Sequence, residues 1–220
     1  MRIEQWEPIY LKIVRDFGYS VSRDRTAARI LSELLRPEQR IPDIESVLDD
    51  LISGKQCLII GPCLSLPEVE TILKESCKSN RIIVTVGEGT VHALDGGFIP
   101  NLVFTDLDGF PECDSEANRR GSIIVVHAHG DNIPPLKKFV PKLSQNVIPT
   151  CQCRPIQGIC NWGGFTDGDR AFCALRHFKA ADIRLMGFDF RRPCGEKQSN
   201  IDMKKKKLRW AEKIIEISRV

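Results

Sequence analysis

No stretch of this 220-residue chain reaches the roughly 18–20 apolar residues that would span a bilayer, so a membrane protein is not expected. Met1 to Asp16 is amphipathic rather than basic-then-apolar, so no signal peptide is expected. Zinc-finger spacing is missing, as is any basic patch interleaved with aromatics, which argues against nucleic acid as a partner. There is neither a Gly-x-Gly-x-x-Gly nor a Walker A segment, so the two commonest nucleotide loops are absent. Internal repeats are lacking too. The one biased segment, Lys204 to Lys207, reads as a solvated helix face. The nine cysteines are odd in number, and Cys57, Cys77 and Cys173 fall inside predicted strands or helices. Reduced thiols in a cytoplasm are expected rather than a disulfide framework. Cys151, Cys153 and Cys160 have no second Cys-x-x-Cys or His-x₃-His partner, which disfavours a structural zinc.

What is present is ordinary for a soluble globular chain: 42% apolar and 28% charged residues, with a net charge of +3. Residues 1–54 read as an N-terminal helical segment. Trp6, Ile9, Tyr10, Ile13, Val14 and Phe17 recur at helical spacing up to Gly18, and Ser22 is placed to cap a second helix ending before Pro37. A third helix is predicted from Asp43 to Ser53. The segment reads as a cap on the rest of the chain, with a lid or dimer surface as the alternative. From Lys55 the period changes. Six apolar, β-branched runs (56–60, 81–86, 101–105, 122–127, 146–150 and 183–188) alternate with helical patterns such as Leu66–Lys78, Ile133–Val140 and Asp169–Lys179. A last helix is predicted from Asp202 to Ser218. This pattern predicts an α/β catalytic domain over 55–220, a mostly parallel, Rossmann-like sheet with helices on both faces and strands buried on both sides.

Three acidic segments follow predicted strands or open a predicted helix: Thr105-Asp106-Leu107-Asp108-Gly109, His127-Ala128-His129-Gly130-Asp131-Asn132, and Thr166-Asp167-Gly168-Asp169-Arg170. In a parallel sheet, residues just past strand C-termini gather in one crevice. Five carboxylates converging there repel one another and call for a cation. Oxygen ligands with room for water and phosphate suit Mg²⁺. Asp106 and Asp108, either side of one residue, are the strongest metal candidates, although one of them capping the turn is the plain alternative. Asp131 is as well placed to cap a helix as to bind metal. His127 and His129 are open to a transition-metal reading or a structural one. Arg170 has the fork to clamp phosphate. Trp162 and Phe165 are flat faces suited to a heterocycle, or simply core. The Gly61-Pro62-Cys63-Leu64-Ser65 turn opens a helix and is expected to offer free amides to phosphate. Asp189 is placed to read a heterocycle's donor groups.

These segments, with Asn161-Trp162-Gly163-Gly164-Phe165 and Gly187-Phe188-Asp189-Phe190, resemble the archaeal-type 6-hydroxymethyl-7,8-dihydropterin pyrophosphokinase family in order and spacing from about residue 55 onward. That family is distantly similar to thiamine pyrophosphokinases. The resemblance implies transfer of the β,γ-diphosphate of ATP to the pterin hydroxymethyl oxygen, with AMP released. Metal sites are carried over to Asp106, Asp108 and Asp167, with Asp169 and Asp131 as further candidates. On this reading Arg170 and Thr166 join Gly61, Pro62 and Ser65 at phosphate. Asn161 or Asp189 reads the pterin edge while Trp162 or Phe165 stacks on it, and His129 or a carboxylate takes the proton. The implied partners are ATP, Mg²⁺, the pterin and a second copy of the chain. Cys63 and Trp162 depart from the family's usual residues. Rival readings are a thiamine-like pyrophosphokinase, a haloacid-dehalogenase-type phosphatase, a sialyltransferase-like glycosyltransferase, and a nucleotide-binding module without turnover. The phosphatase fits poorly, because its nucleophile would follow the first strand and Asp106 follows the third.

Overall fold

Six apolar runs become six strands of one all-parallel sheet: β1 (Gln56–Ile60), β2 (Ile82–Val86), β3 (Leu102–Thr105), β4 (Ile123–Ala128), β5 (Val147–Cys151) and β6 (Asp182–Met186). The computed structural model describes residues 1–194 and 201–219, without the side chains of residues 77 and 78. Helices α1 (Ile3–Phe17), α2 (Val21–Leu34) and α3 (Ile44–Ile52) precede the sheet. Between the strands come α4 (Leu66–Lys78), α5 (Glu88–Asp95), α6 (Pro111–Arg119), α7 (Ile133–Phe139) and α8 (Asp167–His177), and α9 (Ile201–Arg219) closes the chain. The short helices α5 and α6 have too few apolar positions to stand out in the sequence. Ser20 rather than Ser22 caps α2, its hydroxyl accepting from the Arg23 amide.

The strand order is β5-β4-β3-β2-β1-β6. The chain steps outward from β1 to β5, then crosses back under α8 to lay β6 on the free side of β1. Strand side chains point alternately to two faces. On one face, Cys57, Ile59, Val84, Phe104 and Val125 pack against Leu48 of α3 and Phe172 and Leu175 of α8. On the other, Leu58, Ile60 and Ile83 meet Val69 and Leu73 of α4. Farther along that face Val103, Ile124 and Val126 meet Leu136 of α7 and share a core with Trp6, Tyr10, Ala27 and Leu31 of α1 and α2. Helices α1 and α2 thus form a cap packed on one face of the sheet, while α3 packs on the other. Burying each such large apolar side chain contributes about 1.5–3 kcal/mol.

Strand β6 departs from the expectation of burial on both faces. It is an edge strand with Arg184 exposed and Met186 37% exposed. At the other edge, Pro149 of β5 needs no ladder donor, as an edge position allows. Its carbonyl accepts the Cys160 amide, while the Cys151 amide donates to the Cys160 carbonyl, so that edge is covered.

One cysteine expectation is overturned. Cys63, just after β1, and Cys194, after β6, form a disulfide. Their 131-residue separation hides the pair in the sequence, and the β1–β6 pairing brings the two turns together. Cys57 and Cys173 are buried free thiols, and burial pushes each up to about 12. Among the described residues no group of three or more His, Cys, Asp or Glu forms a metal cage. No described helix is long and apolar enough to cross a membrane.

Candidate active site

Two adjoining cavities open at the C-terminal ends of the strands. The larger, about 260 Å³, collects Asp106 after β3, His129, Gly130 and Asp131 after β4, and Gln152 after β5. The first turn of α8 gives it Thr166, Asp167 and Arg170. The α1–α2 turn supplies Tyr19, the first turn of α2 supplies Arg23 and Asp24, and α9 supplies Lys207. The smaller, about 190 Å³, is lined by Pro62, Phe188, Asp189, Leu208 and the Cys63–Cys194 bridge, with Lys204 at its rim. It lies beyond β1 and β6, where the strand order reverses and parallel sheets bind ligands. Thr166 and Lys207 line both cavities.

The Asp106 turn is built on an unusual backbone. Leu107 has φ +61°, a left-handed conformation that bulky residues rarely adopt. Its side chain is buried at 1% exposure, and its amide donates to Thr105 Oγ1 at 2.9 Å. Core burial of Leu107 therefore holds the turn that presents Asp106. Asp106 Oδ2 stands 3.4 Å from His129 Nε2, and its Oδ1 accepts the Asp108 amide at 3.0 Å. Asn132 ties the neighbouring turn to this one, donating to the carbonyls of Asp106 (2.8 Å) and His127 (2.7 Å). Burial opposes ionisation of Asp106. The hydrogen bond from His129 and the Arg170 charge beyond outweigh it and hold the carboxyl well below the usual range.

Asp167 opens α8 and pairs with Arg170 one turn on. Burial pushes its carboxyl up to about 7, helped by the Asp106 and Asp169 charges and opposed by Arg170. A carboxyl this reluctant to ionise beside other acids marks a site short of positive charge. Gly164, at φ +96°, lets the chain fold onto α8: a Cβ there would lie 2.5 Å from Arg170 Cα.

Not every expected site residue reaches the cleft. Asp106, Asp131 and Asp167 line it, whereas Asp108 is exposed outside its lining. Asp169 is fully buried and turned into the capping box of α8, accepting from the Phe165 amide, the Thr166 amide and the Thr166 hydroxyl. Of the five expected carboxylates three thus line the cleft, and Asp24 is a fourth that was not expected. Asp131 pairs with Arg23 at 3.5 Å. His127 is buried at 1% exposure behind the cleft, with Nδ1 3.2 Å from Thr150 Oγ1.

The phosphate-binding turn after β1 is also corrected. The Gly61 amide donates to Met186 O at 2.8 Å and the Cys63 amide to Gly187 O at 3.0 Å. The end of β6 and the Gly187 just past it have taken the amides that phosphate would have used. Ser65 caps α4, its amide and hydroxyl both donating to Glu68. Pro62 remains as a cavity wall.

Trp162 is core, 5% exposed and edge-on to Phe178 at 5.3 Å. Asn161 locks its own turn, donating to Cys153 O and accepting from the Gly163 amide, each at 2.8 Å. Phe165 does line the cleft, against Phe17 at 5.2 Å. Asp189 lies in the smaller cavity, with Oδ1 accepting the amides of Arg191 and Arg192. Arg170 is 6% exposed and occupied by Asp167, so it is the floor of the cleft rather than a free clamp.

Tyr19, Arg23, Asp24, Gln152 and Lys207 were not foreseen. No local motif marks them, because they come from the helical cap, the end of β5 and the lysine run. That run divides by role. Lys204 and Lys207 turn to the cavities, while Lys206 pairs with Asp16 at 2.8 Å.

A parallel sheet with an acidic cleft beyond its strands, and lysines joining it to an apolar groove, defines an α/β enzyme of the phosphate-transferring class. The profile of the family described as 6-hydroxymethylpterin diphosphokinase MptE-like matches residues 30–193. A protein of Methanocaldococcus jannaschii named 6-hydroxymethyl-7,8-dihydropterin pyrophosphokinase is 42% identical over 197 residues, 86% of this chain and 80% of its own length. Proteins of the same name from Pyrococcus furiosus and Methanothermobacter thermautotrophicus are 34% and 35% identical. They cover 98% and 86% of this chain, and 94% and 79% of their own lengths. The chain belongs to the MptE-like 6-hydroxymethylpterin diphosphokinase family.

Proposed function

We propose that this protein transfers the β,γ-diphosphate of ATP to the hydroxymethyl oxygen of 6-hydroxymethyl-7,8-dihydropterin, releasing AMP, with Mg²⁺ as the cofactor. The observation that carries the reading is the junction of two cavities. One is acidic and presents Asp106 and Asp167, the other is apolar and suited to a ring, and Lys207 and Thr166 stand between them. The metal reading fits the donor set. Among the described residues no His, Cys, Asp or Glu cage forms, which disfavours zinc. One or two carboxylates beside a phosphate-sized space suit Mg²⁺, which keeps water and substrate oxygens as its other ligands. Asp106 and Asp167 would hold it, with Asp131 at the rim. When bound, Mg²⁺ neutralises charge on the phosphate oxygens.

The rest is positioning, which is most of what phosphoryl-type transfer asks of a protein. Lys207 and Lys204 hold phosphate oxygens between the cavities. Phe188, Pro62 and Leu208 take the adenine ring at the strand-order reversal, and Phe165 and Tyr19 flank the acceptor in the larger cavity. His129 has Nε2 toward Asp106 and Nδ1 accepting the Asp131 amide at 3.3 Å. With both nitrogens engaged it orients Asp106 instead of acting as the base. A carboxylate of the cleft takes the hydroxyl proton.

The test is product analysis with ATP, Mg²⁺ and the pterin. AMP and the pterin diphosphate, formed only when all three are present, support the assignment. Inorganic phosphate without AMP, or AMP independent of the pterin, would sink it.

A further inference from the structure

The helical cap reaches into the cleft through one side chain. Asp24 of α2 is 3% exposed, yet it lines the larger cavity. Its Oδ1 accepts the Gly130 amide at 2.7 Å, 106 residues along the chain. Its Oδ2 accepts Tyr10 Oη at 2.7 Å and Gln152 Nε2 at 2.9 Å. One buried carboxylate thus gathers α1, the loop after β4 and the end of β5. Such a carboxylate is retained only where its hydrogen bonds replace water.

The neighbouring residue completes a clamp. Arg23 Nη2 donates to the Gly130 carbonyl at 3.0 Å, so both backbone polar groups of Gly130 are held by α2. Gly130 permits the approach, since a Cβ there would lie 2.7 Å from Arg23 Cβ. On either side of Gly130 stand His129, facing Asp106, and Asp131, at the rim. Trp6 adds a second tie, its Nε1 donating to Gln152 O at 2.8 Å.

We propose that Asp24 is a positioning residue for the transfer reaction, fixing the His129–Asp131 loop and Gln152 against Asp106 through the Gly130 amide. The helical cap is then part of the active site, as a buried anchor that sets the distance between β4's loop and β3's turn. This inference rests on the function proposed above, but its geometry can be tested without activity.

The experiment compares wild type, Asp24→Asn, Gln152→Glu and the Asp24→Asn/Gln152→Glu swap, with AMP formation and backbone hydrogen exchange as readouts. Asp24→Asn turns an amide donor toward the Gln152 amide donor, and the swap restores a donor–acceptor pair. Asp24→Asn is expected to lower kcat about tenfold to a hundredfold, as losing a group that orients ligating side chains does. Both KM values should stay within about threefold, the signature of lost transition-state alignment. Exchange should quicken at residues 129–131 while β1 to β4 remain protected. The swap should recover both readouts. Gly130→Ala, which prises α2 off the loop without changing a polar side chain, should reproduce the loss and guards against an Asp24 variant that fails to fold.

A rise in one substrate's KM that the swap does not repair would overturn positioning in favour of direct contact. A lower Tm with unchanged kcat per folded molecule would reduce Asp24 to a stability role and overturn it as well. If wild type forms no AMP, the function proposal fails alone. Exchange at 129–131 then decides the anchor: protection lost in Asp24→Asn and regained in the swap upholds it, and unchanged protection refutes it.

Discussion

Asp167 and Arg170 are ion-paired across one turn of α8, the arginine side chain 7% exposed and the carboxylate 26%. The pair sits at the floor of the cleft, so Arg170 compensates a carboxylate that burial would otherwise keep protonated. Removing one partner of such a pair costs more than the pair itself is worth, because the other charge is left buried. Arg170→Met is therefore expected to destabilise the fold by about 3–5 kcal/mol. Adding Asp167→Asn should return a large part of that loss, as read by urea unfolding of both variants. A double variant no more stable than Arg170→Met would show that the arginine acts through packing alone.

Asp106→Asn should cut AMP formation by about a hundredfold or more, the scale of losing a group that organises charge in a transfer step. It should lower the midpoint of thermal unfolding only modestly, through the loss of a carboxylate that His129 and Arg170 hold ionised in the cleft wall. Activity within threefold of wild type would mean the metal is held elsewhere.

Lys207→Met should raise the KM for ATP about tenfold and weaken the dependence of that KM on salt, since exposed charge–charge attraction is screened. Methionine matches the lysine stem in length but removes the ammonium, which lies 5.9 Å from the centre of the Phe165 ring. A changed kcat at constant KM would move Lys207 from ATP binding to the transfer step.

The Cys63–Cys194 bridge closes a loop of 131 residues and walls the smaller cavity. Replacing both cysteines with serine should cost about 2–4 kcal/mol of stability. It should also raise the KM for the substrate whose ring occupies that cavity while leaving the other KM alone. If reduction with a thiol alters neither stability nor KM, the bridge has no part in the site.

Asp114 predicts a pH dependence of stability. It is 3% exposed, accepts the Thr105 hydroxyl at 2.6 Å, and burial lifts its carboxyl from 3.8 to about 8. The folded protein keeps this proton between those values while the unfolded chain releases it. Its contribution is thus complete below about 3.8 and is lost as pH rises toward 8. The slope is at most about 1.4 kcal/mol per pH unit. Asp114→Asn keeps an acceptor for Thr105 and should flatten the profile from pH 4 to 8. An unaltered profile in that variant would locate the titration on another group.

Much of the fold was legible because a buried parallel strand is a local signal. Val84, Val103, Val125 and Ile148 sit in short apolar runs, and the structure turns each run into a strand. Asp106 and Asp167 could be found the same way, by their place beyond a strand and at a helix start. Asp169 could not be separated from Asp167, because a carboxylate at the third position of a helix serves a metal and a capping box equally well. The Gly61 turn misled for a topological reason: Met186 of β6 and the Gly187 after it, more than a hundred residues later, use the amides of Gly61 and Cys63. Asp24 was illegible because its meaning comes from Gln152 and Gly130, and no spacing along the chain encodes that meeting.

The pairing of β1 with β6 has a consequence for how the molecule is made. Gln56 lies opposite Asp182 and Ile60 opposite Met186, so half of β1's ladder waits for the far end of the chain. Contacts of such high sequence separation carry the largest loop-closure cost and form late. On a ribosome β1 can meet β2 early, while its other edge stays open until β6 has been synthesised. The wall formed by Phe188, Asp189 and Cys194 arrives with β6. The smaller cavity is therefore completed last, and an interrupted chain carries a half-built sheet with an open edge in place of a weakened enzyme.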